Sequence, residues 1–403
     1  MNPLCDLTAG ARRPISRVLR AWGRDGVRTT LRCALAAIAL STAACGTRPE
    51  SGFLTPVASV DPGASAHTLL VATTRSRDER PGTLFNGERA APLDFARVEV
   101  VVPPRHAPGE VEWPSAAPGD PRTEFTVRSA SYLNEEKAFV TALNAQLALR
   151  PPGKRNVLLF IHGYNTLFAE GVYRFAQVVH DAKAPGVPVL FTWASRGKLG
   201  QYVYDTNSAT TARDDLERTI RLVFASNAEQ VNILAHSMGN WVTVEALRQI
   251  KISGRIPPME KLGTVYLAAP DIDVDVFKSQ MRRFGKPQKP FFIILSRDDK
   301  ALGASRFIAG GESRVGDDAN EAELAALGAV VVDLTDLKSG DSTGHDKFAK
   351  LAQVAPEMHL VLQRGVGGAG PARSQAALGT SLGAIVSLPV TLLGAPVRLI
   401  TER

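Results

Sequence analysis

A mostly parallel α/β sheet with helices on both faces is predicted for this 403-residue chain by three observations. From residue 135 onward, short apolar runs alternate with longer amphipathic stretches, the pattern of strands joined by crossover helices. The runs are continuously apolar, as strands covered on both faces require. One run, Val231-Asn232-Ile233-Leu234, apolar but for Asn232, leads through a tight serine-bearing turn directly into a helix.

In chain order, the first element is a leader. Residues 31–45 form a short apolar segment ending in small residues and Cys45, and seven arginines (12, 13, 17, 20, 24, 28 and 32) precede or open it against Asp6 and Asp25. A positive n-region, a short apolar core and a small-residue cleavage site make a secretory signal over 1–45. Cys45 stands at the cut as in a bacterial lipobox, with Thr42 where leucine is more usual. It is the expected lipidation site, and the expected location is the bacterial envelope, lipid-anchored to a periplasm-facing membrane. All three cysteines (5, 33 and 45) lie in this leader, so the body holds no thiol for a disulfide, a zinc cluster or a nucleophile. Of 47 basic and 40 acidic residues, seven and two precede Cys45. The balance beyond it is near neutral and gives no nucleic-acid footprint. No metal-ligand spacing, phosphate-cradling glycine loop or dinucleotide fingerprint follows any strand, and neither cofactor nor metal is expected.

Residues 46–66, rich in Pro, Ser and Gly, read as a flexible tether. A single domain is expected over 67–364. It opens with β-like stretches at 67–74 and 95–102, a Pro-rich connection at 103–121 and a third β-like stretch at 124–133. Helices are then predicted at 135–149, 167–182, 209–225, 238–251, 273–282, 300–307 and 346–364. Strands fall between them at 156–161, 188–193, 230–235, 263–268, 290–295 and 328–333. The tail 365–403 is a separate segment. Its stretch 374–397 has no charged residue, but Gly379, Gly383, Pro389, Gly394 and Pro396 argue against one straight membrane-spanning helix. It is expected to pack on the sheet or lie on a membrane surface.

The chemistry is read from the ends of these strands. Ala235-His236-Ser237-Met238-Gly239 places small residues on both sides of Ser237, with Ala235 where glycine is more common. A sharp strand-to-helix turn pushes such a hydroxyl out of the sheet, beside the free N–H groups and positive dipole of the helix. In hydrolases built on this turn the order is Ser, acid, His. Only His345 and His359 follow Ser237. His359 reads as a helical residue, whereas His345 lies in a polar loop past the last strand and is the expected base. The acid is Asp299, Asp298 or Asp271, each in a loop after a strand. Upstream, the strand ending at Ile161 runs into His162-Gly163-Tyr164-Asn165, which supplies one oxyanion-hole N–H in this architecture. Tyr164 and Met238 are the expected backbone donors. His162 is read as a residue that orients this loop. Trp193, Tyr202, Tyr204 and Asp205 are expected near the pocket, either contacting substrate or packing under a loop.

These stretches, with Leu70–Arg75, Phe191–Gly197, Ala268–Asp273 and Ser296–Leu302, resemble the α/β hydrolases of the esterase/lipase superfamily, and more narrowly a bacterial group of unknown function. The resemblance spans about 68–364 by pattern. It implies an α/β-hydrolase fold, and it implies Asp299 as the acid, because the one directly before Lys fills that role in relatives. The expected function is cleavage of a carboxylic ester or thioester of a small molecule or lipid, through an acyl-enzyme on Ser237, Asp299 and His345. Acyl transfer or peptide cleavage on the same residues, or a non-catalytic envelope lipoprotein, are the competing readings.

Overall fold

The computed structural model describes residues 48, 50–254, 257–308, 310–318, 320–337, 343–345 and 347–349, with the backbone of 385–392 and 395–402. Cys45, the rest of the leader and His359 lie outside the described residues. The chain divides into units 1–49 and 50–403, and all the strands and helices named below belong to the second.

Strands β1 (Ser65–Asp78), β2 (Leu84–Val102) and β3 (Thr126–Leu133) form an antiparallel wing. Strands and helices then alternate: α1 (Glu136–Ala148), β4 (Asn156–Ile161), α2 (Phe168–Asp181), β5 (Val187–Thr192), α3 (Tyr202–Ala225) and β6 (Gln230–His236). The series continues with α4 (Met238–Ile252), β7 (Leu262–Ala268), α5 (Val274–Phe284), β8 (Phe291–Leu295) and α6 (Lys300–Ile308). Short helices α7 (Val315–Asp318) and α8 (Glu321–Ala326) precede β9 (Ala329–Asp333). An antiparallel hairpin, β10 (Ile385–Leu392) and β11 (Ala395–Glu402), pairs with β9 at the other edge. The order across the sheet is β10-β11-β9-β8-β7-β6-β4-β5-β1-β2-β3. The central pairings, from β1–β5 to β8–β9, are all parallel.

The two faces of the sheet are filled by the period-2 alternation of its strands. On β4, Val157, Leu159 and Ile161 join Phe139, Leu216, Val242 and Phe277 from α1, α3, α4 and α5 in one core. Phe160 points the other way, into a second core with Val172, Phe175 and Val179 of α2. All six residues of β5 are buried, which is why the run Val187–Phe191 is apolar without interruption before Thr192.

Strand order decides where a site can form. From β4 the chain crosses to β5 on one side, then returns as β6 on the other side of β4. Loops at a strand-order reversal leave in opposite directions and open a crevice at the carboxyl ends of the strands. The loop after β4 begins at His162 and the turn after β6 begins at Ser237, so the two predicted motifs flank this crevice.

Two expectations are corrected. The 46–66 stretch is no free tether from residue 52 to 57: Leu54 is fully buried, its N–H donates to Gly82 O at 2.8 Å, and Val57 N–H donates to Val127 O at 2.8 Å. Its composition conceals the apolar pair Phe53-Leu54, which joins the α2-side core. Helix α3 starts at Tyr202, seven residues before its predicted start. The tail contributes the β10–β11 hairpin, which extends the sheet edge to edge. Among the described residues no helix is long and apolar enough to cross a membrane. Replacing Leu54 by Ala should lower unfolding stability by about 2–5 kcal/mol, the usual cost of emptying a buried leucine site. Urea denaturation measures it, and an unchanged midpoint would return this stretch to a tether.

Candidate active site

Ser237 connects β6 to α4 with φ 53° and ψ −125°, a conformation that L-residues rarely adopt. Strain of this kind costs of the order of 1–3 kcal/mol and persists only where surroundings enforce it. Here the surroundings are explicit. Ser237 N–H donates to Ala268 O at 3.0 Å, while Ser237 O accepts from Asn240 N at 3.1 Å and Asp271 N at 3.3 Å. The Asn240 side chain donates to both Ser237 O and Ala268 O at 2.8 Å. The Ser237 side chain does not cap its own helix. Small neighbours are obligatory: a Cβ on Gly239 would lie 2.4 Å from His162 O, and one on Gly163 would lie 2.6 Å from Ser237 Cβ.

His345 and Asp299 are brought together by two further strand ends. Asp299 follows β8 and is buried; its Oδ2 meets His345 Nδ1 at 2.7 Å. Its Oδ1 accepts from Ala301 N and Leu302 N, both at 3.0 Å, so the same carboxylate caps α6. Lys300 N–H donates to Thr343 O at 2.9 Å, tying the start of α6 to the histidine loop. The His345 ring lies 4.6 Å, centroid to centroid, from His236, the residue directly before Ser237. His236 in turn stacks on Phe348 at 4.0 Å. Burial, with His345 beside it, pushes the His236 imidazole well below its ordinary pKa and keeps it neutral.

The other two acid candidates are engaged elsewhere. Asp298 receives Lys347 Nζ at 2.7 Å and the Ser296 hydroxyl. Against a burial penalty, these partners hold its carboxyl below the usual range. Lys347 Nζ also donates to Ser296 Oγ, Leu334 O and Thr335 O, pinning the segment after His345 to the ends of β8 and β9. Asp271 accepts from Ser305 Oγ at 2.6 Å and Tyr202 OH at 3.1 Å, and pairs with Arg314 Nε at 3.3 Å.

The loop after β4 approaches Ser237 through Gly163. Among the described residues no acceptor meets the Tyr164 N–H. Met238, as the first residue of α4, has no acceptor within its helix. His162 Nδ1 sits 2.8 Å from Gly163 O and its Nε2 sits 2.8 Å from Thr192 Oγ1. Its ring stacks on Trp193, 5.0 Å away and inclined by 19°. Burial, and then the nearby Arg75 guanidinium, push His162 down to about 3. It is a neutral ring that orients the loop: Gly163 O can only accept, so Nδ1 carries the proton and Nε2 accepts from the Thr192 hydroxyl.

Of the residues expected near the pocket, Trp193 and Asp205 are fully buried behind this loop, and Trp193 Nε1 donates to His162 O. Tyr204 stacks under the Arg196 and Arg89 guanidinium groups, and Tyr202 reaches the Asp271 cluster. Sequence pattern gave no role to Asn240, Lys347 or Arg75. Asn240 was legible in principle, as a polar residue one place beyond the glycine of the turn. Lys347 and Arg75 act over long sequence separations and carry no local signal. Among the described residues no cluster of His, Cys, Asp and Glu could hold a metal.

A family model described as "Alpha/beta hydrolase of unknown function" matches residues 135–364. No curated protein matches the chain. Among solved structures the chain is similar to an esterase of Pyrobaculum calidifontis, at 11% identity and TM-score 0.31, over 66% of this chain and 82% of that one. It is also similar to fungal esterases from Rhizomucor miehei, at 12% identity and TM-score 0.32, over 77% and 86%. Lipase B of Aspergillus fumigatus gives 15% identity and TM-score 0.26, over 48% and 47%.

The His162 ring should stay neutral across about pH 5 to 8, because burial disfavours its charged form. Its folded value lies below the 6.5 of a free histidine, so its contribution to stability is intact above pH 6.5 and is lost as pH falls toward about 3. NMR titration of the ring protons tests this; a midpoint near 6.5 would contradict a buried neutral ring.

Proposed function

We propose that this chain, which belongs to the family of α/β hydrolases of unknown function, is a serine hydrolase that cleaves a carboxylic ester or thioester through an acyl-enzyme. One observation carries the reading. His345 is bound at Nδ1 by Asp299 while its ring lies against the residue that directly precedes the strained Ser237.

The chemistry derives from that arrangement. With Nδ1–H donated to Asp299, Nε2 is the nitrogen that takes the Ser237 Oγ proton as Oγ attacks the substrate carbonyl carbon. The negative charge that develops on the carbonyl oxygen is received by the N–H groups of Tyr164 and Met238. The new imidazolium, stabilised by Asp299, returns its proton to the departing alcohol or thiol as the C–O or C–S bond breaks. Water then repeats the sequence: His345 removes its proton, hydroxide adds to the acyl carbon, and Ser237 Oγ leaves with the proton back from His345. No cofactor enters any step. The leader and Cys45 support a lipid-anchored enzyme facing the envelope space, since the several acyl chains of a mature lipoprotein hold it stably at a membrane. Metabolic lipid labelling of wild type against Cys45→Ser tests this; an unlabelled wild-type chain would make Cys45 incidental.

Ser237→Ala should lower turnover of short-chain p-nitrophenyl esters by at least about 10^4-fold, with little change in stability. Wild-type turnover in that variant would end the assignment of the turn. Asp299→Asn should cost about 10^4-fold in kcat, the scale set by losing the group that fixes the histidine tautomer. Asp271→Asn should cost less than about tenfold in kcat but lower stability, because Arg314 would be left buried without its carboxylate. Steady-state kinetics on the two Asn variants separates them, and a larger loss at Asp271 would move the acid to the loop after β7.

A further inference from the structure

We infer that Asp205 and Ser195 are positioning residues for catalysis, holding the peptide planes of the 163–166 loop so that the Tyr164 N–H faces the Ser237 reaction centre. The inference rests on the proposed hydrolase reading. It deepens that reading by assigning work to a stretch, Trp193 to Asp205, that the reaction itself leaves unused.

The observations are backbone contacts made by buried side chains. Asp205 stands in the first turn of α3 and is fully buried. Its Oδ2 accepts from Asn165 N at 3.1 Å and from Ser195 Oγ at 2.6 Å, and its Oδ1 accepts from Arg196 N at 3.1 Å. Ser195 Oγ, having donated its proton to Asp205, accepts from Thr166 N at 2.9 Å. Two successive N–H groups after Tyr164 are thus drawn to one side. On that side Arg75, also fully buried, donates to Thr166 O at 2.8 Å and to Ser195 O at 2.7 Å. Between these anchors Asn165 is held at φ 56°, a conformation an asparagine adopts at modest cost but does not choose unaided.

The energetics argue that this network serves geometry more than stability. Taking a carboxylate and a guanidinium out of water is costly, and apolar replacements of similar volume are often as stable or more so. What the charges supply is direction. An ionised carboxylate takes several N–H donors at once, and its hydrogen bonds are shorter and stronger than those of a neutral acceptor. The Gly163 carbonyl is turned to His162 Nδ1 at 2.8 Å and to Thr166 Oγ1 at 3.1 Å, so across the same planar peptide the Tyr164 N–H points the opposite way, and a Cβ on Gly163 would lie 2.6 Å from Ser237 Cβ. An oxyanion donor misplaced by about 1 Å loses about 10^2-fold in rate, so loosening these anchors should be read in kcat.

The test uses the full chain with Asp205→Asn, Ser195→Ala and, as a control, Ser237→Ala. An Asn at 205 can accept at only one atom and so loses at least one anchor. The expected result is a fall in kcat of about 10- to 100-fold with KM within about threefold of wild type, smaller at Ser195→Ala. An alkyl trifluoromethyl ketone, which adds to the serine as a tetrahedral oxyanion, should lose affinity by the same factor as kcat/KM. Thermal melting is measured beside the kinetics, and Ser195→Ala carries the test if Asp205→Asn fails to fold. Unchanged kcat and ketone affinity in a folded variant, or a change in KM alone, would overturn the inference and leave the network structural. Full activity in Ser237→Ala would instead overturn the hydrolase reading, so the two failures are distinguishable.

Discussion

Two chain turns meet in this protein at a distance that only glycine allows. The loop after β4 and the turn after β6 touch backbone to backbone, with Gly163 against Ser237 and Gly239 against His162 O. A methyl group at either place would force the turns apart. Because β4 and β6 are neighbours in the sheet, the contact is made at the crevice that strand order opens. The left-handed Ser237, the Asn240 side chain beneath it and the neutral His162 ring beneath the other turn all serve that approach.

Around this contact the buried charges are sorted by use. Asp299 divides its oxygens between the helix it caps and the histidine it orients. Asp298, its neighbour in sequence, instead takes Lys347 and so fixes the segment that carries His345. Adjacent carboxylates thus hold the same loop by two routes, one through the imidazole and one through the chain behind it. Asp271, Tyr202, Ser305 and Arg314 form a separate polar cluster whose backbone also touches Ser237. Neutral histidines, His162 and His236, line both turns, so neither would compete with the charge that the proposed reaction places on His345.

Much of this was legible in the sequence wherever the signal was local. Continuous apolar runs marked the parallel strands, and the Ala-His-Ser-Met-Gly turn marked its own position between a strand and a helix. Long-range partners were not legible. Residue pattern left Asp298, Asp299 and Asp271 open, and only family resemblance favoured Asp299, because the partner that occupies Asp298 is Lys347, 49 positions away. The early start of α3 was missed because residues 202–211 hold aromatics and hydroxyl residues with weak helix propensity. In the structure Thr206, Thr210 and Thr211 satisfy their hydroxyls on carbonyls four residues earlier, and the helix is kept by the packing of Ala209, Ala212 and Leu216 into the core. The apolar pair Phe53-Leu54 was averaged away by the composition around it. The uncharged tail left open whether it packs on the sheet or lies on a membrane surface; its backbone forms a hairpin at the sheet edge, with Pro389 on the outermost strand, where a missing N–H is tolerated.

The central claim is that Ser237 is the nucleophile and that His345 activates it. Reaction of the full-length protein with a fluorophosphonate, followed by mass mapping of its peptides, addresses that claim at the atom concerned. The expected result is a single phosphonyl adduct, on Ser237, whose formation is slowed by at least about 10^3-fold in His345→Ala. An adduct on another serine, or one formed on Ser237 equally fast without His345, would contradict it.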